Sequence, residues 1–297
     1  MTLDIRLLNN QDYDSFEHFL KDYVATSMFM RSNAHRVGLE FKPGLDYSAN
    51  YWAAFEQNQL KGLLVLNWNG NLFIQAPEDN ILSKLFDFVQ QTVGASYFIK
   101  SVLGPDHQAQ QILAYLNPSP DNLSLSVTFV SYNLMLKNMT LLPQLKEGSW
   151  VCRLATHQDL DVLIPWVVAY GIEASNVALD KPDAYALAQE ELHKRIDLGE
   201  IFVLEDQGRC VAKADYNATL PDIYQIGGVW TPPELRGRGY GRAVVGGALQ
   251  AAHEKGVETG TLFTKNPAAM RAYESLGFRQ VDHYHITLFK EAVCLIK

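Results

Sequence analysis

A phrase at the start of this chain returns near its middle, and that return limits the fold more than any other feature. Ile5-Arg-Leu-Leu-Asn-Asn-Gln-Asp12 comes back as Cys152-Arg-Leu-Ala-Thr-His-Gln-Asp159. Laying residue 6 on residue 153 pairs Arg6 with Arg153, Leu7 with Leu154, Gln11 with Gln158, Asp12 with Asp159, Asp14 with Asp161 and Tyr23 with Tyr170. An internal repeat of this kind implies two copies of one order of elements. Each copy opens on a strand and then a helix, which in the first carries Phe16, Phe19, Leu20 and Tyr23 at helical spacing. Each continues into a hairpin, Tyr51 to Glu56 with Leu60 to Trp68, and Ile201 to Glu205 with Cys210 to Tyr216. A length of 297 residues suits two domains of this size. Their expected limits are 1–147 and 148–297, with Lys137 to Ser149, which contains Pro143 and Gly148, as the linker.

The copies differ where a central strand hands over to a helix. In the second copy, Tyr224 to Trp230 reads as a strand in which Gly227-Gly228 suits a bulge that would splay it from its neighbour. Arg236-Gly-Arg-Gly-Tyr-Gly241 follows, and a helix begins at its end. Gly237, Gly239 and Gly241 leave backbone amides bare at that helix start, where the dipole favours an anion such as a phosphate. A nucleotide P-loop would need Lys-Ser or Lys-Thr after the last glycine, and Arg242-Ala243 stands there. A dinucleotide fingerprint would need Gly or Ala at the position of Arg242. In the first copy the strand Leu72 to Gln75 is followed by Ala76-Pro-Glu-Asp-Asn80, which has no glycine. Glu78 and Asp79 oppose a phosphate there, and the helix beyond directs Ile81, Leu82, Leu85, Phe86 and Val89 inward.

A second motif lies downstream, in Thr261-Leu-Phe-Thr-Lys-Asn266-Pro-Ala-Ala-Met-Arg-Ala-Tyr273-Glu-Ser-Leu-Gly277-Phe278. Asn266 caps the helix, Pro267 takes its first position and Gly277 ends it; Ala268, Ala269 and Ala272 keep one flank thin. The two motifs in this order resemble the GNAT superfamily of N-acetyltransferases. The resemblance implies an α+β fold of two GNAT-like domains, each a central mixed, mostly antiparallel sheet flanked by helices. It makes 1–147 a degenerate GNAT-like domain without the phosphate loop and 148–297 the acetyltransferase domain. It implies acetyl-coenzyme A as cosubstrate, held by Val229, Trp230, Thr231, Arg236, Gly237, Arg238, Gly239, Tyr240, Gly241, Arg242, Asn266, Ala269 and Tyr273. The reaction implied is direct attack of an amine in a ternary complex, with a backbone amide near Val229 or Trp230 polarising the thioester carbonyl. Tyr273 is then the donor of the proton that the departing thiolate needs. Family members often carry a Glu on the central strand, but Gln225, Gly227 and Gly228 occupy it here, so Asp215, Asp222 or Glu173 acting through water are the substitutes. A non-catalytic module that binds coenzyme A or acyl-coenzyme A for regulation is the alternative, and a scaffold that binds a protein partner is a third.

Composition narrows the partners. A formal charge of −8 argues against nucleic acid and anionic membrane, and is compatible with a cationic acceptor, a small-molecule or peptide amine. In the resemblance, the helical pair before the second hairpin lines the acceptor side, which singles out Glu173, Asn176, Glu190 and Glu191. Three distant cysteines, Cys152, Cys210 and Cys294, suit a reducing cytoplasm, and no apolar run nears the length of a membrane span. A homodimer is compatible with the sequence. No metal is expected: His283 and His285 share one face of a strand, but no Cys, Asp or Glu cluster with ligand spacing joins them.

Overall fold

The computed structural model describes residues 3–93, 97–175 and 183–295. The first part of the chain forms β1 (Asp4–Leu7), α1 (Tyr13–Leu20), α2 (Val24–Val37), β2 (Ala49–Glu56), β3 (Gln59–Asn67), β4 (Asn71–Gln75), α3 (Asp79–Thr92), β5 (Phe98–Pro105), α4 (Asp106–Leu116) and β6 (Leu123–Met135). The second part forms α5 (Pro143–Lys146), β7 (Trp150–Leu154), α6 (Leu160–Ser175), α7 (Ala184–Asp197), β8 (Ile201–Asp206), β9 (Arg209–Thr219), β10 (Ile223–Trp230), α8 (Tyr240–Glu254), β11 (Thr259–Thr264), α9 (Pro267–Leu276) and β12 (Arg279–Cys294). The architecture is mixed α+β, sheet flanked by helices. No helix among the described residues is long and apolar enough to cross a membrane.

The residues fall into two units, Met1–Ser131 with Asp282–Lys297, and Tyr132–Val281. In the first unit the strand order is β1-β2-β3-β4-β5-β12-β6. Its pairs are antiparallel except the parallel β4 and β5 among those whose register is resolved. Helix α3 turns Ile81, Leu82, Leu85, Phe86 and Val89 into the core, as its spacing predicts. There they meet Trp52, Leu64, Ile74, Ile112 and, from the far end of the chain, Phe289 and Leu295.

In the second unit the order is β6-β11-β10-β9-β8-β7, with β10 and β11 parallel and the pairs from β10 to β7 antiparallel. Helix α8 buries Val244, Val245, Ala248, Leu249 and Ala252 on one face of this sheet, where the Tyr216 hydroxyl donates to the Ala248 carbonyl. The opposite face is covered by α6 and α7 through Leu163, Leu192, Ile201 and Val203. Helix α6 continues to Ser175, through a stretch whose polarity predicts a break after Ala169.

The division of the units differs from the expected boundary after residue 147. Residues 132–147 pack as part of the second unit: the Leu136 amide donates to Glu258 O, the Thr140 amide donates to Leu276 O, and Leu142 is buried. A leucine-rich stretch, Leu136, Leu141, Leu142 and Leu145, has too much apolar surface to remain a solvated linker. Residues 282–294 belong to the first unit, where β12 pairs with β5 from Tyr284 to Cys294.

The repeated phrase has a physical basis. In the first unit Arg6 donates to both oxygens of Asp12 at 2.8 and 2.7 Å, while the Asn9 amide donates to the same carboxylate. In the second unit Arg153 holds Asp159 with both contacts at 2.8 Å, and the Thr156 amide donates to Asp159 at 2.7 Å. Each clamp ties the end of the first strand to the start of the first helix, so Arg and Asp recur where the residues between them drift.

The Arg153 guanidinium, followed by the Thr156 amide, outweighs burial and holds the Asp159 carboxyl at about 2 against an ordinary 3.8. Because the folded value lies below the unfolded one, this stabilisation is present above about pH 4 and is lost as pH falls toward 2. Asp159→Asn is therefore expected to cost about 2 kcal/mol at neutral pH, with the difference from wild type shrinking through that window. Denaturant unfolding of both proteins from pH 7 to pH 2 measures it; a difference independent of pH would contradict the assignment.

Candidate active site

Strand β10 is the centre of the second unit, and its two ladders end differently. Its parallel pairing with β11 covers only Ile223 to Gln225 against Thr259 to Thr261. Its antiparallel pairing with β9 goes on to Trp230 but slips twice, between Gln225 and Ile226 and between Gly227 and Trp230. Across the second slip three steps along β10 span two along β9, since Gly227 faces Asp215 and Trp230 faces Lys213. Gly228 absorbs the extra residue at φ +54°, in the left-handed region. The slip is the bulge that the glycine pair predicts, and the ladder to β11 ends before it, at Gln225.

Both glycines are pressed against the polar face of β9. A Cβ built on Gly227 would run into the Asn217 amide, and one built on Gly228 into the Asp215 carboxylate, with Lys213 Nζ at 3.1 Å. Lys213, Asp215 and Asn217 share this face by the two-residue period of a strand. Lys213 Nζ donates to both oxygens of Asp215 at 2.7 Å, although Lys213 is only 1 % exposed. Arg195 from α7 adds Nη1 to Asp215 at 3.2 Å, Nε to Glu200 at 3.2 Å and Nη2 to the Tyr216 carbonyl at 3.0 Å. Burial pulls the Lys213 ammonium below its usual range, and the Asp215 charge opposes that pull. Above this floor lies a cavity of about 210 Å³, lined by Tyr170, Glu191, Arg195, Lys213, Asp215 and Gly228 among others.

The loop after β10 presents backbone. Gly237 and Gly239 take φ +79° and +87°, and Gly239 is the residue before α8. The opening amides of α8 have no carbonyl one turn back and are left for an anion. Gly237, Arg238 and Gly239 are exposed, and Gly241 comes close to Thr231 Oγ1 and Val229. Of the predicted loop side chains, several are already engaged. Tyr240 is buried against Trp150 at 5.0 Å and donates to Asp206, so it offers the loop its backbone. Arg242 donates to the Ser275 carbonyl. Arg236 donates to Glu173 at 2.8 Å and to the Thr231 carbonyl, and lies 4.9 Å over the Trp230 ring.

Asn266 caps α9 as predicted, its Oδ1 accepting from the amides of Ala268 and Ala269. Tyr273, two turns on, is 6 % exposed and packs on Phe278. Burial, then the neighbouring Tyr170, raises its phenol well above the ordinary range, so it keeps its proton through neutrality. Tyr170 stacks edge-on to Trp230 at 6.3 Å. Three atoms on β10 and at the start of α8 are buried without a hydrogen-bond partner, Gln225 Oε1, Trp230 Nε1 and Arg242 Nε, and they fit a site built for a polar ligand.

The structure separates the predicted carboxylates. Asp215 lines the cavity beside Gly228. Glu173 is half exposed and paired with Arg236, Glu191 reaches the cavity rim, and Asn176 lies outside the described residues. Sequence reasoning missed Lys213 and Arg195. The signal for Lys213 was present, because Lys-Ala-Asp-Tyr-Asn places polar side chains at every second position of a strand whose other face is apolar. Arg195 carries no such signal; as one charge of a Lys-Arg pair near a helix end it reads as solvated.

A model of the acetyltransferase (GNAT) family matches residues 170–278, which span the cavity, the glycine loop and the α9 motif. Residues 170–278 belong to the GNAT acetyltransferase family. Among solved structures, the chain is similar to a GNAT-family acetyltransferase from Colwellia psychrerythraea, at 16% identity and a TM-score of 0.50 over 97% of this chain and 100% of that one. It is similar to a tandem GNAT protein from the clavulanic acid biosynthesis pathway, at 12% identity and a TM-score of 0.54 over 100% and 99%. A GCN5-related N-acetyltransferase from Sphaerobacter thermophilus matches at 12% identity and a TM-score of 0.52 over 99% and 96%. These identities speak for the fold, and the near-complete coverage extends it to the unit that lacks the glycine loop. No curated protein matches the chain.

Gly228→Ala puts a methyl group into the Asp215 carboxylate at a left-handed residue of the GNAT domain, and is expected to cost about 2–4 kcal/mol. Gly148→Ala, at φ +75° with open space around it, carries the conformational penalty alone, about 1–2 kcal/mol. Urea midpoints of the two variants compare clash with strain, and equal losses would remove the packing of Asp215 on Gly228 from the account.

Proposed function

We propose that the second unit transfers an acetyl group from acetyl-coenzyme A to an amine in a ternary complex. The observation that carries this reading is the conjunction of the glycine loop at the start of α8 with a neighbouring strand released from its partner at Gln225. When bound, the cosubstrate supplies a thioester activated for attack by an amine. The amides from Gly237 to Arg242 hold its phosphates by charge and geometry. Backbone of the released segment near Val229 and Trp230 is available to polarise the carbonyl, since β11 no longer takes its hydrogen bonds. Tyr273, protonated and enclosed, is the acid for the departing thiolate.

The acceptor is assigned to the cavity over Lys213 and Asp215. Of the carboxylates expected to act as base, Asp215 lines that cavity, so we assign it, through water, the removal of the amine's proton in preference to Glu173. Arg195 and Lys213 orient it. A small or peptide-borne amine suits the rim carboxylate Glu191, and we place the reaction in the cytoplasm on the spacing of the cysteines. A second reading, a coenzyme A-binding regulatory module without chemistry, is favoured by one fact: the Asp215 carboxylate is already held by two cations. Acetyl-coenzyme A mixed with pooled amines separates the two, since thiol release supports transfer and ligand stabilisation without release supports the module.

A single acetyl-coenzyme A site per chain is expected by calorimetry, with Gly239→Glu lowering affinity at least about tenfold by placing a side chain and a negative charge in the loop. Two equivalent sites, or binding that survives the substitution, would overturn the loop assignment. Tyr273→Phe is expected to lower single-turnover transfer by about tenfold to a thousandfold with affinity for the cosubstrate nearly unchanged. Because burial raises the phenol, its ionisation should not limit the wild-type rate at any pH below about 10. Unchanged transfer in the Phe variant would end the acid assignment whatever happens to its thermal midpoint.

A further inference from the structure

The first unit holds a polar cluster that the transfer reaction does not use. On β6, Ser124, Ser126 and Thr128 share one face, and on β12, which neighbours β6 in the strand order, His285 and Thr287 share one face. His285 stands opposite Gly104 of β5, and β5 runs directly into α4, whose first residue is Asp106. This junction brings Asp106 and, one helical turn on, Gln110 to the imidazole. Ser124 spends its hydroxyl on the Leu288 carbonyl, as a structural serine does. Ser126 instead meets His285 Nε2 at 3.2 Å and Thr287 Oγ1 at 3.1 Å.

The other nitrogen fixes the tautomer. His285 Nδ1 lies 3.2 Å from Asp106 Oδ1 and 2.9 Å from Thr128 Oγ1. The Thr128 hydroxyl donates to Asp106 at 2.7 Å, so both oxygens facing Nδ1 are acceptors and Nδ1 carries the proton. Gln110 Nε2 stands 3.2 Å from the same nitrogen, and with Nδ1 protonated we assign that amide the flipped orientation, its oxygen toward the ring. Nε2 is left with a lone pair toward the hydroxyls of Ser126 and Thr287. The base is enclosed, at 3 % exposure, while Ser126 is open to solvent and the Asp106 side chain is 40 % exposed. Burial holds the imidazole below its usual range, hence neutral at pH 7, with Asp106 opposing.

We propose that Ser126 is a nucleophile toward activated acyl esters and thioesters, with His285 as its base and Asp106 as the residue that positions that base. The proposal is independent of the reading of the second unit. Ser126 Oγ bonds to the acyl carbon and its proton passes to His285 Nε2. The bond from that carbon to the leaving oxygen or sulfur breaks, and the leaving group takes the proton from Nε2. Water then attacks the acyl-serine, giving one proton to Nε2, which returns it to Ser126 Oγ as the acid departs. Thr287, fully buried on the same nitrogen, keeps the Ser126 hydroxyl in line.

The full-length chain is treated with a fluorophosphonate probe and, separately, with p-nitrophenyl acetate. One adduct on Ser126 by peptide mapping is expected, together with nitrophenol release above the solvent rate. Ser126→Ala, at an exposed position, should remove both with no change in thermal midpoint. His285→Gln should slow labelling by about a hundredfold or more. Asp106→Asn, which alters a half-exposed side chain and so keeps the protein folded even if the histidine variant does not, should slow it at least about tenfold, with partial rescue by Asp106→Glu. An adduct elsewhere, no adduct at all, or labelling of Ser126 at a rate indifferent to Asp106 and His285 would overturn the proposal.

Discussion

The candidate site of the second unit is organised around one extra residue in β10. A strand hydrogen-bonded on both sides has no backbone to offer a ligand; in β10 the ladder to β11 ends at Gln225, and the ladder to β9 slips at Gly227 and Gly228. The slip needs a left-handed residue with no side chain, and the space that Gly228 leaves is filled by the Asp215 carboxylate. Asp215 in turn is fixed by Lys213 and Arg195, so the backbone irregularity and the buried ion cluster hold each other in place. A bulge lacking that cluster would have empty space beneath it, and the cluster without the bulge would have no room.

The corresponding region of the first unit shows what the same architecture looks like when the opening is closed. There the amide of Ala76, just past β4, donates to Gln108 Oε1 at 2.7 Å, and Gln75 Oε1 accepts from Thr26. Beside them Gly104 allows β5 to approach the Ile74 backbone closely. At the corresponding place in the first unit the polar groups are answered from within the fold.

Much of this was legible in the sequence because the signals are local. The Asn-Pro start and Gly stop of α9, the inward residues of α3 and α8, and the bulge at paired glycines depend on neighbours a few positions away. The Arg-Asp clamp was legible as a repeat, although its purpose appeared only with the carboxylate hydrogen bonds. What stayed hidden depends on distant partners. Arg195 acquires meaning from Asp215 and Glu200, and His285 from residues on β6 and α4. Tyr240 reads as a loop residue until Trp150 and Asp206 are seen to hold its side chain.

The assignment of residues 282–294 to the first unit also constrains how the molecule comes into being. Ribosomes deliver the chain from its N-terminus, so β5 waits with an open edge while the whole of the second unit is made. During that interval the core around Phe86 and Ile112 lacks Phe289 and Leu295, and the first-made unit is the last to be finished. A tandem protein built this way cannot mature one domain at a time, and its newborn form has a vacant strand position that other chains could occupy before its own C-terminal segment arrives.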